Sequence, residues 1–274
     1  MVLSVVDHAC IRRVLVSEAS HPHARHRWVT HAEGQETYHR RMTKRDSELR
    51  LILWDIDFTL IDPCGFGKRA MTAALQQLHG IELQAAIPSH GRTDRAILAD
   101  YLTAAGLAPE GLEPLCRRAG AVAEECAADF TGYGGRALPG AVTATATLAT
   151  ISNVVQSVLT GNLRRIGLVK LTEADLLAGL DLDVAAFGDA HTVRADLVRI
   201  SVDSAARKYA KPPETIRPVL VGDTPLDVEA ALATGAVAVG VASGVCPADE
   251  LSAAGAHLVL PDLRDISALV ALLA

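Results

Sequence analysis

Aromatic residues are scarce, at 4% of 274 residues, so any core must be assembled mainly from Ala, Val, Leu and Ile. Cysteine is equally uninformative as a scaffold. The five residues Cys10, Cys64, Cys116, Cys126 and Cys246 are scattered, odd in number and without CxxC spacing. That excludes a disulfide framework or a thiolate zinc site and suits a reducing compartment. No run approaches the roughly 20 uninterrupted apolar residues of a membrane span. The basic-then-apolar order of an export signal is also missing, so the expectation is a cytoplasmic protein with no membrane partner. Basic excess is lacking where a nucleic-acid grip would need it. Residues 51–274 hold 17 Lys+Arg against 26 Asp+Glu, whereas residues 1–50 hold 9 against 6. An acidic body without a concentrated basic surface predicts no nucleic-acid partner.

Half of the chain is hydrophobic, enough for a sizeable core. Residues 1–48 do not share in it: from Ser20 to Glu48 they are dense in His, Arg, Thr and Glu with little apolar periodicity, and predict a disordered or loosely docked arm. Met42 stands just ahead of the first clear strand and suggests a shorter natural product starting there. From Leu51 the pattern turns to short apolar runs: Leu51–Trp54, Val154–Leu159, Val184–Phe187, Val219–Val221, Val237–Val241 and His257–Leu260. Such runs, separated by helical stretches, predict a parallel sheet buried on both faces. Residues 64–138 break the rhythm with helices alone. Ala70, Met71, Ala74, Leu75 and Leu78 form one stripe closed by Gly80, and Ile97, Leu98, Tyr101, Leu102 and Ala105 a second closed by Gly106. Leu112, Leu115, Cys116, Ala119, Val122, Ala123 and Cys126 form a third. The expected layout is a core of residues 49–63 and 139–274, interrupted by a helical cap at 64–138.

In a parallel sheet, ligands gather at the carboxyl ends of the strands. Two of the apolar runs lead straight into aspartates there. Asp55-Ile56-Asp57-Phe58-Thr59 follows the first, and its two carboxylates would repel each other unless a cation lay between them. Mg2+ is the natural choice, being a hard ion that also takes a phosphate oxygen. Asp55 could then attack phosphorus while Asp57 serves as acid and base. Capping of a turn or helix is the competing role for such a pair. Gly222-Asp223-Thr224-Pro225-Leu226-Asp227 follows a later strand, with Asp223 and Asp227 as further metal-ligand candidates. An N-cap for a helix over Leu226–Thr234 accounts for Asp223 or Thr224, and less well for Asp227. Leu159-Thr160-Gly161-Asn162 offers a hydroxyl and close backbone approach to a phosphoryl group. The cation that balances that group could be Lys170, Arg194, Lys208 or Lys211. Arg194, which opens an amphipathic stretch through Leu197, Ile200 and Ser204, is preferred.

Taken in order, these motifs resemble the haloacid dehalogenase-like (HAD) hydrolase superfamily. Its pattern of DxDxT, a Ser/Thr strand end, a Lys or Arg and GDxxxD stands here as Asp55–Thr59, Thr160, Arg194 and Gly222–Asp227. The helical block after the first motif, with Gly91-Arg92-Thr93-Asp94 inside it, resembles the cap of the phosphoglycolate phosphatase and phosphomutase-like branch. Ala242-Ser243-Gly244 followed by Glu250-Leu251 matches that branch's last stretch. The resemblance implies an α/β fold, with a Rossmann-like parallel sheet core and an inserted α-helical cap. It also implies Asp55 as nucleophile and metal ligand, and Asp57 as acid/base and a metal ligand through its carbonyl. Thr160 and Arg194 would hold the phosphoryl group, with Asp223 completing the Mg2+ site. Thr59, Gly161, Asn162 and Arg92 are the accompanying substrate-binding candidates, Arg92 as an anion contact unless it pairs with Asp94 or Glu82. The expected activity is hydrolysis of a small phosphorylated metabolite through an aspartyl-phosphate. Two departures stand out: Phe58 where Gly is usual, and Arg194 where Lys is commoner. A phosphomutase shares every core residue. A phosphonate-cleaving enzyme would need a Schiff-base Lys such as Lys68, dehalogenases lack the second Asp, and a phospho-receiver would lack both Asp57 and a cap.

Overall fold

The computed structural model describes residues 48–82 and 87–273. The expectations for the N-terminal arm and for Met42 lie outside the described residues. Five parallel strands build the sheet: β1 (Leu49–Trp54), β4 (Val154–Val158), β5 (Ile216–Gly222), β6 (Val237–Val241) and β7 (Leu258–Leu260), in the order β4-β1-β5-β6-β7. Their sequences are nearly continuous in apolar residues because both faces are covered. Ile52 and Trp54 of β1 belong to one buried cluster, while Leu49, Leu51 and Leu53 belong to another on the opposite face. The chain is therefore an α/β protein with a parallel sheet flanked by helices.

Four of the helices are α5 (Ala141–Leu148), α6 (Arg164–Glu173), α7 (Arg194–Lys208) and α8 (Pro225–Thr234). The last two are α9 (Ala248–Ala253) and α10 (Ser267–Leu273). The run Val184–Phe187, expected as a strand, is not one. It lies beside β4 and makes only the single bridge Leu159↔Ala186. Val184 N–H donates to Asp181 O, a turn that leaves too little extended chain to extend the ladder.

A short antiparallel ribbon, β2 (Ile61–Asp62) against β3 (Arg136–Ala137), brackets the helical segment. Between its strands lie α1 (Phe66–His79), α2 (Asp94–Ala104), α3 (Leu112–Glu125) and the single turn α4 (Asp129–Gly132). The apolar stripes read from the sequence are the buried faces of these helices, and Gly80 ends α1 in a left-handed conformation as a C-cap. Leu78 departs from its stripe and is exposed. Phe66 and Phe130 meet edge to face with ring centroids 5.5 Å apart, joining the two ends of the segment. Among the described residues no helix is long and apolar enough to cross a membrane.

Candidate active site

Three neighbouring strands deliver the site. Leu159 donates to Trp54 O at the end of β4 (2.8 Å), which places Thr160 beside the end of β1. Asp55 follows β1 directly and donates its N–H to Val221 O of β5 (2.8 Å). Asp223 follows β5 at the same edge. The side chains brought together are buried: Asp55, Thr59, Thr160, Asn162, Lys170, Asp223 and Asp227.

Beyond Asp55 the chain turns tightly, with Leu60 and Ile61 both donating to Ile56 O. The turn places Phe58 at φ 60°, a left-handed conformation that costs a bulky residue roughly 1–2 kcal/mol. Its carbonyl accepts from Ser243 Oγ (2.7 Å). Asp57 thereby faces the sites's interior rather than the core, and its carboxylate receives Lys170 Nζ at 2.8 and 2.7 Å.

Lys170, one of the four cation candidates, reaches the site as well: α6 starts four residues after Thr160, and Lys170 lies on its second turn, only 2% exposed, with Nζ on Asp57. Asn162 completes the network. Its Oδ1 accepts from Lys170 Nζ, while its Nδ2 donates to Asp57 Oδ2 (3.1 Å) and Thr160 Oγ1 (3.1 Å). Every polar atom in this group has a partner, which fixes the geometry.

Arg194 opens α7 and serves the other carboxylate. Its Nη2 lies 2.7 Å from Asp55 Oδ1 and its Nε 2.8 Å from Asp227 Oδ1, while Nη1 donates to Gly91 O at 3.1 Å. The first two are charge contacts with poorly aligned N–H directions: Arg194 Nε, Arg194 Nη2 and Asp227 Oδ1 lack a well-oriented hydrogen bond. Lys208 pairs instead with Asp181 and Asp183 on the surface, away from the site.

Asp227 has a structural role that the sequence reading undervalued. Thr224 and Asp227 form a capping box at the start of α8, with Thr224 N donating to Asp227 Oδ2 at 3.2 Å. Its other oxygen is free of that duty. Carboxylate oxygens of Asp55, Asp223 and Asp227 lie within 4.8 Å of one another, all three residues buried. Burial, reinforced by the mutual repulsion of these groups and opposed by Arg194, pushes Asp55 up to about 7. Burial and the Asp55 and Asp227 charges push Asp223 up to about 8. Burial works against charge on Arg194 too, yet Asp227, Asp55 and Asp223 hold it above its ordinary value. Three buried hard oxygen donors with an unaligned Asp227 Oδ1 fit a divalent cation of the oxygen-preferring kind.

The helical segment reaches into this edge. Asp94 N–H donates to Gly161 O (2.7 Å), and its Oδ2 accepts from Leu163 N (2.8 Å). A Cβ on Gly161 would stand 2.4 Å from Arg92 O, so the contact needs glycine. Burial pushes Asp94 up to about 6, with Lys170 opposing. Asp94 was not among the candidate site residues, although the Gly91–Asp94 stretch had been singled out for Arg92.

Two further placements correct the sequence reading. Arg92 pairs with neither Asp94 nor Glu82: Nη2 meets Asp100 Oδ2 at 2.7 Å and Nη1 donates to Pro88 O at 2.9 Å. Thr59 is fully buried behind Asp223, its Oγ1 3.5 Å from Asp223 Oδ1, and forms no part of the cavity wall. The cavity, of about 180 Å3, is walled by Asp55, Asp57, Asn162, Lys170, Arg194 and Asp223 below. Phe58, Met71, His90, Arg92 and Ile97 stand among its other walls.

Residues 194–266 match a family model described as HAD-hydrolase-like. Comparison with curated protein sequences gave no match. Among solved structures, the chain is similar to a hydrolase from Pseudomonas syringae, with 23% identity and a TM-score of 0.56 over 82% of this chain and 98% of that one. It is also similar to a predicted phosphoglycolate phosphatase from Haemophilus somnus 129pt, with 17% identity and a TM-score of 0.57 over 81% and 98%. CbbY from Rhodobacter sphaeroides, solved in complex with phosphate, shares 17% identity and a TM-score of 0.62 over 80% and 96%. Residues 194–266 thus carry a HAD-hydrolase-like domain, and the chain as a whole shares the fold of these hydrolase and phosphatase structures.

Proposed function

We propose that this chain is a Mg2+-dependent phosphatase that hydrolyses a small phosphate monoester through an aspartyl-phosphate on Asp55. The observation that carries the reading is the pairing at the sheet edge. Two carboxylates two residues apart each meet their own buried cation, Arg194 at Asp55 and Lys170 at Asp57, beside a third carboxylate, Asp223.

Asp55, Asp223 and the Asp57 carbonyl would hold Mg2+, with Asp227 close by. Bound there, the ion would offset carboxylate repulsion and polarise the phosphoryl group. In the first half-reaction an Asp55 oxygen bonds to phosphorus, and the bond to the ester oxygen breaks. Asp57 gives that leaving oxygen its proton. In the second, water attacks the same phosphorus, Asp57 takes the water's proton, and inorganic phosphate leaves with Asp55 restored. Lys170, Arg194, Asn162 and the backbone at Gly161 supply fixed positive charge and donors for the transferring group, which is where most of the rate is gained.

The helical segment between β2 and β3 acts as a cap, closing over the cavity through Asp94 and Gly91 and supplying contacts to the leaving group. Lys68, the Schiff-base candidate in the helical segment, lines the cavity but is exposed on the first turn of α1 without the burial that activates such an amine, so phosphonate cleavage gains no support.

The test is phosphate release from a generic aryl phosphate by the native chain and by Asp55→Asn, with Mg2+ and with a chelator. Turnover that needs Mg2+ and disappears in the variant is the expected result. Turnover that survives Asp55→Asn would end the proposal.

A further inference from the structure

Among the described residues that line the cavity, Phe58 combines a left-handed conformation with a bulky side chain. Two hydrogen bonds pin it there: its N–H donates to Ile61 O at 2.7 Å, and its carbonyl accepts from Ser243 Oγ. Strain of this kind persists where the surroundings enforce it, and the inference runs from the outlier to a role. Its ring meets that of His90, which also lines the cavity, with centroids 5.8 Å apart and planes tilted by 43°. Phe58 belongs to the turn after β1, and His90 to the segment ahead of α2. The two rings therefore approach each other from the sheet edge and from the helical segment, beside Asp55 and Asp57. The cavity they help to line, about 180 Å3 in all, must hold the phosphoryl group as well as whatever it is attached to. That is well under the roughly 300–1,000 Å3 of pockets that take drug-sized ligands.

We propose that Phe58, facing His90, is a size filter that restricts this site to phosphate esters of compact leaving groups of a few carbon atoms. The inference rests on the phosphatase reading for its substrate class, but the filter is a property of binding and can be read without turnover.

The experiment titrates a graded series of n-alkyl phosphonates, methyl to hexyl, into the full chain with Mg2+ present, following the melting temperature and confirming Kd by calorimetry. Native chain, Phe58→Gly, Phe58→Leu and His90→Ala are compared. Glycine suits the left-handed position, so Phe58→Gly keeps the fold, which its own melting curve verifies. The native chain is expected to bind hexyl phosphonate about tenfold or more weakly than methyl phosphonate, and Phe58→Gly to reduce that gap to about threefold or less. Phe58→Leu and His90→Ala should fall between. Equal binding of both phosphonates by the native chain, or an unchanged gap in Phe58→Gly, overturns the filter and leaves the phosphatase reading standing. Size-selective binding with no Asp55-dependent turnover upholds the filter and sinks that reading. No phosphonate binding at all defeats both.

Discussion

At the scale of single residues, Arg194 and Lys170 are both buried cations, yet they carry different burdens. Arg194 is 9% exposed and faces Asp55 and Asp227, whose side chains are 8% and 2% exposed. Its removal would leave the two buried carboxyl groups that it contacts without a counter-charge, and breaking such a group costs about 3–5 kcal/mol. Lys170 faces Asp57, whose side chain is 28% exposed and can be solvated when the lysine is gone. In chelator, Arg194→Met should therefore lose about 3 kcal/mol of stability in urea melts, with part recovered on adding Mg2+. Lys170→Met should lose only about 1 kcal/mol, while its phosphatase rate falls about 100-fold or more. Equal losses of stability in the two variants would contradict this division of labour.

At the scale of elements, α8 is the instructive case. Its start combines Pro225 at the first turn with the Thr224–Asp227 capping box, and one oxygen of Asp227 serves the cap while the other faces Arg194. Thr224→Ala should lower stability by about 1 kcal/mol in a thermal or urea melt, the usual worth of such a cap. Sequence reasoning treated capping and site chemistry as rivals for Asp227, whereas one carboxylate performs the first and is placed for the second. The strands were legible because a parallel sheet buried on both faces leaves continuous apolar runs, as in Leu51–Trp54 and Val237–Val241. Val184–Phe187 carries the same signature without forming a strand, since periodicity reports burial and says nothing of whether a ladder partner continues. The edge aspartates and Thr160 were legible from their place after such runs. Lys170 was underrated because a helix returning to the sheet edge makes ten residues of sequence a short distance in space. The Arg92–Asp100 pair and the seat of Asp94 on the Thr160–Leu163 loop depend on tertiary docking, which no local pattern announces.

At the scale of the whole molecule, the site stores electrostatic repulsion that the fold must carry. Above pH 3.8 the unfolded chain gives up the protons of Asp55 and Asp223, while the folded chain holds them to about 7 and about 8. Across that window the folded state binds more protons than the unfolded state, so stability must fall as pH rises. Asp94, held up to about 6, adds to the lower part of the same slope. A divalent cation reverses the balance, because it binds the deprotonated carboxylates and displaces their protons. In chelator, the melting temperature should therefore decline from pH 5 to pH 8 through these groups. With saturating Mg2+ the decline should flatten, so that the stabilisation by the ion is small at pH 5 and grows steadily toward pH 8. Melting curves at four pH values, with and without Mg2+, measure this directly, and Asp223→Asn should remove most of the difference between the two series. A Mg2+ effect that is the same at pH 5 and pH 8 would mean that the ion does not draw on these buried carboxylates.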